Sequence, residues 1–461
     1  MKYGINLSYD DLLDNNEALA IVAQYLPAFS SIKEQHPQMT RLSFSTLGKY
    51  MPQVFNEEIL QQLDLALKEY GKDKGYTATE IAKMKKYQAM EADRKIRFAQ
   101  KKKSPTSNRY TEFHPGEEWL DTNGEPIQAH GGQVFFENGI YYWYGENKEF
   151  TRGEEEADND IWTWGIRCYQ STDLYNWEDL GLIVEPDLNH PDGNLFPDAY
   201  VDRPHIIKCE KTGKYVMWIK ISGTEACFAI LSADKITGPY KLEKEDVKPF
   251  QYDIGDFDLL VDSTTQKCYM TLDVSHQKVT TLLLTEDYLA VDKELVSQYE
   301  NRFPPLNREG MTMTTHNGKK YLLTSGTTGY TPNQCDYAVG NTWESTLQPM
   351  GDPHIGDCSF SSFNSQPSQI FQVHNSDTYI CIADRWMPDH LLTGDIALRF
   401  RNAIAHRYEP DSYPADDEAL ALYTARPDLE RCNTSKSRYV WLPVSFQDDR
   451  MVITWHDHWQ Y

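Results

Sequence analysis

The sequence predicts a mainly β fold: a five-bladed β-propeller preceded by a small α-helical module. Three observations carry this expectation. A polar residue precedes a Tyr-centred apolar run five times, His130 before Tyr141, Asp202 before Tyr215, Asp256 before Tyr269, Glu309 before Tyr321 and Gln366 before Tyr379, by 11 to 13 residues. Each stretch reads as strand, tight turn, strand, and the units recur about every 50–75 residues, as propeller blades do. The apolar periodicity changes from helical to a period of two at about Asn108.

Residues 1–105 form the helical part. LLDNNEALAIVAQYLP carries apolar residues at helical spacing and stops at Pro27. Asn56 is placed to cap EEILQQLDLALKEYG, which ends at Gly71, and Thr77 with Glu80 forms a capping-box pattern before IAKMKKYQAMEADRKIRFAQ. This predicts a bundle of three or four helices, closed by the linker Lys101-Lys102-Lys103-Ser104-Pro105. The module names no chemistry; packing on the propeller, or homo-oligomer formation, is its expected role. Residues 106–461 form the propeller, interrupted by an insertion at about 388–437 that includes the helix-like DDEALALYTARPDLE. The final segments, RYVWLPVSF and MVITWHDHW, read as adjacent strands that pair near Trp119 and close the ring, removing exposed sheet edges.

If the first strand of each blade lines the axis, the five leading side chains meet at one mouth. Three of them are acids, Asp202, Asp256 and Glu309. Glycosidic hydrolysis usually takes two carboxyl groups, about 6.5–9.5 Å apart in inverting enzymes, and a narrow axial funnel would hold inner-strand acids at such a separation. Crowded carboxylates raise one another's pKa, which keeps a Glu protonated for acid work. Aromatics make up 13 % of the chain, and Trp143, Trp164, Trp218, Tyr330 and Trp386 are candidates for stacking on a sugar face.

The formal charge of −24 argues against a nucleic-acid partner, whose phosphates need a basic surface. No apolar run approaches membrane-span length and no secretory pattern opens the chain, so no membrane association and a cytoplasmic location are expected. The eight scattered cysteines read as reduced core residues. No cofactor is required by this chemistry. A structural calcium or sodium ion is compatible with the acidic stretch Glu154–Asp160, although a solvated loop accounts for it, and His456-Asp457-His458 reads as structural rather than metal-binding.

The span from Trp119 to Trp459 resembles glycoside hydrolase family 43, five-bladed propeller glycosidases, in the branch of exo-β-1,3-galactanases. The motifs are WLDTNGEPIQAHGG, YYWYGE, CYQSTDLYNW, DRPHIIK with TGKYVMW, REG, YLLTSGTTGYTPNQ, ADRW and YVWLPVSF, in that order. The resemblance implies that Glu309 is the general acid, that Asp256 orients it and tunes its pKa, and that Gln366, in Ser365-Gln366, holds the attacking water. The usual first-blade aspartate base is replaced by Ala129-His130-Gly131, which leaves Asp202 and His130 as rival bases. Gln366 could act as a base itself only as its imidic acid tautomer. Glu146 matches a sugar-hydroxyl ligand, and His130, Arg203, Tyr330, Asp384 and Trp386 complete the expected substrate contacts. Two departures fall where sugar hydroxyls would bind: Asp202 stands in place of a glutamate, and Asp273-Val274-Ser275-His276 lacks an acidic contact. The implied function is an exo-acting, inverting glycoside hydrolase releasing terminal galactose or a furanose from oligosaccharides. The alternatives are an arabinofuranosidase- or xylosidase-type member and a non-catalytic sugar-binding propeller.

Overall fold

The computed structural model describes the chain except residues 1–2, 6, 14, 28, 36–38, 41, 73, 102–108, 153–158, 224–225, 301, 395 and 425–431. The linker after Lys101 and most of the acidic Glu154–Asp160 stretch lie outside the described residues. The chain divides into two compact units, Met1–Gln100 with Asp187–Phe196, and Lys101–Pro186 with Pro197–Tyr461.

The first unit contains α1 (Asn16–Tyr25), α2 (Phe29–Gln35), α3 (Phe44–Tyr50), α4 (Glu57–Gly71) and α5 (Ala78–Lys101, whose last residue falls to the other unit). The expected helices form where their caps place them. Asn56 accepts from the Ile59 amide at 2.9 Å. Thr77 and Glu80 cap one another, Glu80 N–H to Thr77 Oγ1 at 3.2 Å and Thr77 N–H to Glu80 Oε2 at 2.6 Å. Among the described residues five α-helices stand where three or four were expected, because α2 and α3 are seven-residue helices too short to show a period. Leu12, Val22, Phe29, Phe44, Leu47, Leu63 and Leu67 form the core of this unit. The Asp187–Phe196 segment belongs to it through the Tyr87–Phe196 ring contact at 5.4 Å and the Gln88–Asn189 hydrogen bond.

The second unit is the five-bladed propeller. Its blades are β1–β4 (His130–Glu137, Ile140–Glu146, Ile166–Ser171, Glu178–Val184), β5–β8 (Val201–Cys209, Lys214–Ile221, Cys227–Ala233, Lys241–Val247), β9–β12 (Ile254–Val261, Cys268–Val274, Lys278–Leu284, Val291–Gln298) and β13–β16 (Arg308–His316, Lys319–Gly326, Cys335–Gly340, Gln348–Gly351). The fifth is β18 to β21 (Gln366–Gln372, Tyr379–Arg385, Arg438–Gln447, Arg450–Thr454), with the short β17 (His354–Ile355) added in parallel to β21. The innermost strands β1, β5, β9, β13 and β18 neighbour one another in a closed cycle. The final segment pairs near Trp119 as expected, at Phe113, which exchanges backbone hydrogen bonds with Trp459 at 2.8 and 3.1 Å. Trp119 instead packs its ring on Trp143 and Trp441 in the shared core of the first and last blades. The insertion carries α6 (Ile396–His406) and α7 (Asp417–Thr424).

One device recurs at the head of the inner strands. The register slips just after His130, Asp202, Glu309 and Pro367, a bulge that frees the leading side chain from the regular alternation. The residue after the lead has positive φ in three blades, Gly131 (+57°), Arg203 (+45°) and Gly310 (+55°). A Cβ at Gly131 would lie 2.3 Å from Glu146 Oε1 and one at Gly310 2.9 Å from Gln366 Cγ, so both positions exclude a side chain. Arg203 adopts this conformation with its side chain in place, at a cost of about 1–3 kcal/mol that its surroundings must enforce.

Candidate active site

The five leading residues stand at the same end of the five inner strands; Glu309 and Gln366 are hydrogen-bonded directly, and Arg203 joins Asp256 to them. Arg203 is the hub. It is 4 % exposed. Its Nε lies 2.9 Å from Asp256 Oδ2, its Nη2 donates to Gln366 Oε1 at 2.7 Å, its Nη1 donates to the Pro367 carbonyl at 3.3 Å, and its backbone N–H donates to Glu146 Oε1 at 2.8 Å. It therefore joins blades one, two, three and five, and holds the other site residues from within rather than offering its guanidinium to a sugar.

Asp256 receives Lys220 Nζ on Oδ1 at 2.6 Å, and the Gly310 N–H on Oδ2 at 2.9 Å beside Arg203. Burial alone would raise its pKa, but Arg203, Lys220 and the Gly310 amide hold the carboxyl well below the usual range. Glu309 has the opposite environment. Burial first, then the Asp256 charge, push its pKa up to about 8. The Arg308-Glu309-Gly310 turn thus places a protonated acid against a permanent anion, with Gly310 supplying the amide that bridges them.

The Gln366 amide is fully engaged. Oε1 accepts from Arg203 Nη2 at 2.7 Å and Trp386 Nε1 at 3.0 Å; Nε2 donates to Glu309 Oε1 at 3.2 Å and Ser325 Oγ at 3.1 Å. Two obligate donors face Oε1, so a hydroxyl there, as the imidic acid tautomer requires, would have no acceptor in this arrangement. Nor do Glu309 and Gln366 stand a water's width apart. They are in direct hydrogen-bonded contact.

Asp202 is half-buried. Trp162 Nε1 donates to its Oδ1 at 2.7 Å, Ser222 Oγ to its Oδ2, and Lys220 Nζ lies 4.0 Å away. Glu146 is buried beside Lys148 Nζ at 2.8 Å, and burial raises its pKa to about 7 against that charge. His130 and Asp384 are buried, 0 % and 2 % exposed, and Asp384 lines the cleft beside Gln366. His130 Nδ1 is 3.0 Å from Asp384 Oδ1 and its Nε2 is 3.4 Å from the Tyr439 hydroxyl, while Asp384 Oδ2 accepts the Gly131 N–H. With both nitrogens and both oxygens engaged, this pair props the first inner strand, and His130 is not placed to take a proton from water.

Tyr330 and Trp386 lie over the site, ring centroids 5.1 Å apart, with Trp162 5.9 Å from Tyr330. Trp143, Trp164 and Trp218 are fully buried in blade cores, which corrects their candidacy for stacking. The cleft beside Gln366, bounded by Ser325, Tyr330, Asn364 and Trp386, has a volume of about 10 Å³, enough for a single water but not for the expected monosaccharide. Sequence reasoning missed Trp162, Lys220, Lys148 and Ser325. Lys220 carried a signal, a lysine inside the apolar strand Met217-Trp218-Ile219-Lys220-Ile221. Trp162 carried none, because its segment is not a strand and alternation does not apply. Among the described residues no group of three or more His, Cys, Asp or Glu is arranged to hold a metal.

No family model and no curated protein matches the chain. Solved structures do. A GH43 β-1,3-galactosidase aligns at 26 % identity and TM-score 0.59, over 77 % of this chain and 64 % of that one. A GH43 β-1,3-galactosidase with galactodeoxynojirimycin aligns at 23 % and 0.58, over 76 % and 100 %. An exo-β-1,3-galactanase from Clostridium thermocellum aligns at 25 % and 0.55, over 75 % and 66 %. The chain spans less than two thirds of the length of the first of these. The resemblance read from the motifs is thus also a resemblance of folds.

Proposed function

We propose that this protein is an exo-acting, inverting glycoside hydrolase that removes terminal β-linked galactose from oligosaccharides. The observation that carries the reading is the Asp256–Glu309 pair, one carboxyl held ionised by two cations and its neighbour held protonated by burial and by that charge. Two carboxyls driven apart in pKa are the signature of an assigned acid. Galactose is favoured over a furanose by the activities of the similar structures, β-1,3-galactosidase and exo-β-1,3-galactanase. The test is turnover of a panel of 4-nitrophenyl α- and β-glycosides, pyranose and furanose, with the first-formed anomer read by proton NMR. Release of α-galactose from the β-galactoside supports the reading, and retention or a different sugar overturns it.

In this reading Glu309 protonates the departing oxygen, so the rate depends on its protonated form. The alkaline limb of kcat/KM falls as pH rises through about 8, and a limb centred near the ordinary glutamate range would remove Glu309 from the acid role. Gln366 positions the water, with proton loss late. Shortening it by Gln366→Asn withdraws the amide from Arg203 and Trp386 together. The expected cost is about 10²-fold in kcat, measured on the same nitrophenyl galactoside, where acid assistance matters least.

The second reading, a sugar-binding propeller without catalysis, draws on the saturated Gln366 amide and the occluded cleft. Galactose binding without turnover of any panel member favours it. The eight free cysteines fit a reducing compartment, which supports a cytoplasmic location.

A further inference from the structure

The segment that delivers Gln366 to the site is held in a conformation that its own residues disfavour. Between β17 and β18, Phe360 and then Ser362, Phe363 and Asn364 in succession have positive φ, +53°, +55°, +58° and +57°. A residue with a side chain rarely enters this region, enters it singly when it does, and is disfavoured there by about 1–2 kcal/mol. Glycine adopts it freely, yet none stands between Gly356 and Gln366. Three consecutive residues, one of them Phe, therefore need ties from their surroundings.

Asp357 makes the first of those ties. Its Oδ1 accepts the Ser359 N–H at 3.0 Å, and its Oδ2 accepts the Ser361 N–H at 2.8 Å and the Phe363 N–H at 3.2 Å. Ser361 Oγ accepts the Asn364 N–H at 3.0 Å. Ser362 Oγ accepts the Cys335 N–H at 2.8 Å and donates to the Asn333 carbonyl at 3.1 Å. Arg385 closes the far side, donating to the Phe363 and Asn364 carbonyls at 2.9 and 3.3 Å. The turn ends at Ser365, whose N–H returns to the Ser361 carbonyl at 3.3 Å. Pro367 then biases Gln366 to an extended backbone, and Asn364, Ser365 and Gln366 border the cleft together.

A loop stapled by an aspartate would explain Asp357 as structure alone. It does not explain why side chains stand where glycine would remove the strain, in a turn that hands the chain directly to Gln366. The Gln366 amide meets Arg203, Trp386, Glu309 and Ser325 at once. A side chain shared among four partners tolerates little displacement of its own backbone. Strain of this kind persists where the surroundings over-determine it, and at functional sites it pre-organises a group for its task.

Resting on the hydrolase reading above, we propose that Asp357 is a positioning residue of the reaction: it holds residues 359–365 in the left-handed turn that fixes where Gln366, and with it the attacking water, stands. Asp357 acts through Gln366 and not on the sugar.

The test is a double-mutant cycle on 4-nitrophenyl β-galactoside, with Asp357→Ala and Gln366→Asn made singly and together. Asp357→Ala leaves the Ser359, Ser361 and Phe363 amides without this acceptor. The expected loss in kcat is about 10–10²-fold, the scale of a misplacement of about 1 Å. In the Gln366→Asn background, where the amide has already left its place, adding Asp357→Ala changes kcat by less than about twofold. A merely structural role would lower kcat by the same factor in both backgrounds. Amide hydrogen exchange over residues 357–366, read by mass spectrometry, is expected to speed up in Asp357→Ala. Asp357→Asn, which keeps one acceptor oxygen, carries the same cycle and the same exchange measurement if the alanine variant does not fold. Multiplicative losses, an unchanged kcat, or unchanged exchange in the folded variant overturns the proposal. Failure of the hydrolase reading is distinct: the wild type then turns over no member of the glycoside panel, and this proposal falls with it.

Discussion

Replacing Glu309 with Gln lowers kcat on a galactosyl disaccharide by about 10²–10⁴-fold, while turnover of 4-nitrophenyl β-galactoside falls far less. A sugar alkoxide is a poor leaving group and must be protonated as the bond breaks, whereas nitrophenolate leaves without a proton. The substitution is close to isosteric and replaces a carboxyl that burial and Asp256 already keep neutral. The fold therefore loses no buried charge, and thermal stability stays near that of the wild type. Steady-state kinetics on both substrates, with a melting curve, separates this from general damage. Equal and mild losses on the two substrates would remove Glu309 from the acid role.

The fold was legible because its repeat is a repeat of geometry. Each blade must place an inner strand, a turn and a central strand, and the Tyr residues that mark the central strands, Tyr141, Tyr215, Tyr269, Tyr321 and Tyr379, are all buried between blades. A constant interval between the leading residue and that Tyr follows from a hairpin of constant size. The closing contact falls near Trp119 as expected, at Phe113, whose ring lies 5.8 Å from that of Trp119 in one aromatic cluster. The short helices α2 and α3 escaped because seven residues make two turns, too few for a period to emerge.

The site was legible in its acids and opaque in its cations. Asp256, Glu309 and Gln366 announce themselves by position at strand heads. The cation beside Asp256 acts across blades: Lys220 reaches it from the second strand of the preceding blade. No spacing rule encodes a contact between blades. Burial was equally invisible. His130 and Asp384 carry the chemistry of ligands, yet both are buried and paired with one another. Conversely, Arg203 looked like a contact for substrate and is instead the residue to which the site is tied.

That tie makes Arg203 the position where one substitution should do most harm. Arg203→Met keeps the volume of the side-chain stem and removes the guanidinium, leaving Asp256 with Lys220 and the Gly310 amide and Gln366 Oε1 with Trp386 alone. Breaking one side of a buried ion pair costs about 3–5 kcal/mol, read as a lower denaturation midpoint of the propeller, and activity falls with it because the water-holding amide loses an anchor. Loss of activity by unfolding and loss by misplacement are separated by a second change. Adding Asp256→Asn removes the under-compensated anion, so the double variant regains part of the stability, the coupling expected of residues in direct contact. It does not regain activity, because the charge that helps hold Glu309 protonated has gone. Removing an anion from beside a carboxylic acid lowers that acid's pKa, so whatever turnover remains is lost at lower pH than in the wild type, with the alkaline limb shifted toward acid. Stability of Arg203→Met equal to that of the parent, or a double variant as active as the parent, would show that the acid and the amide are positioned by something other than this guanidinium.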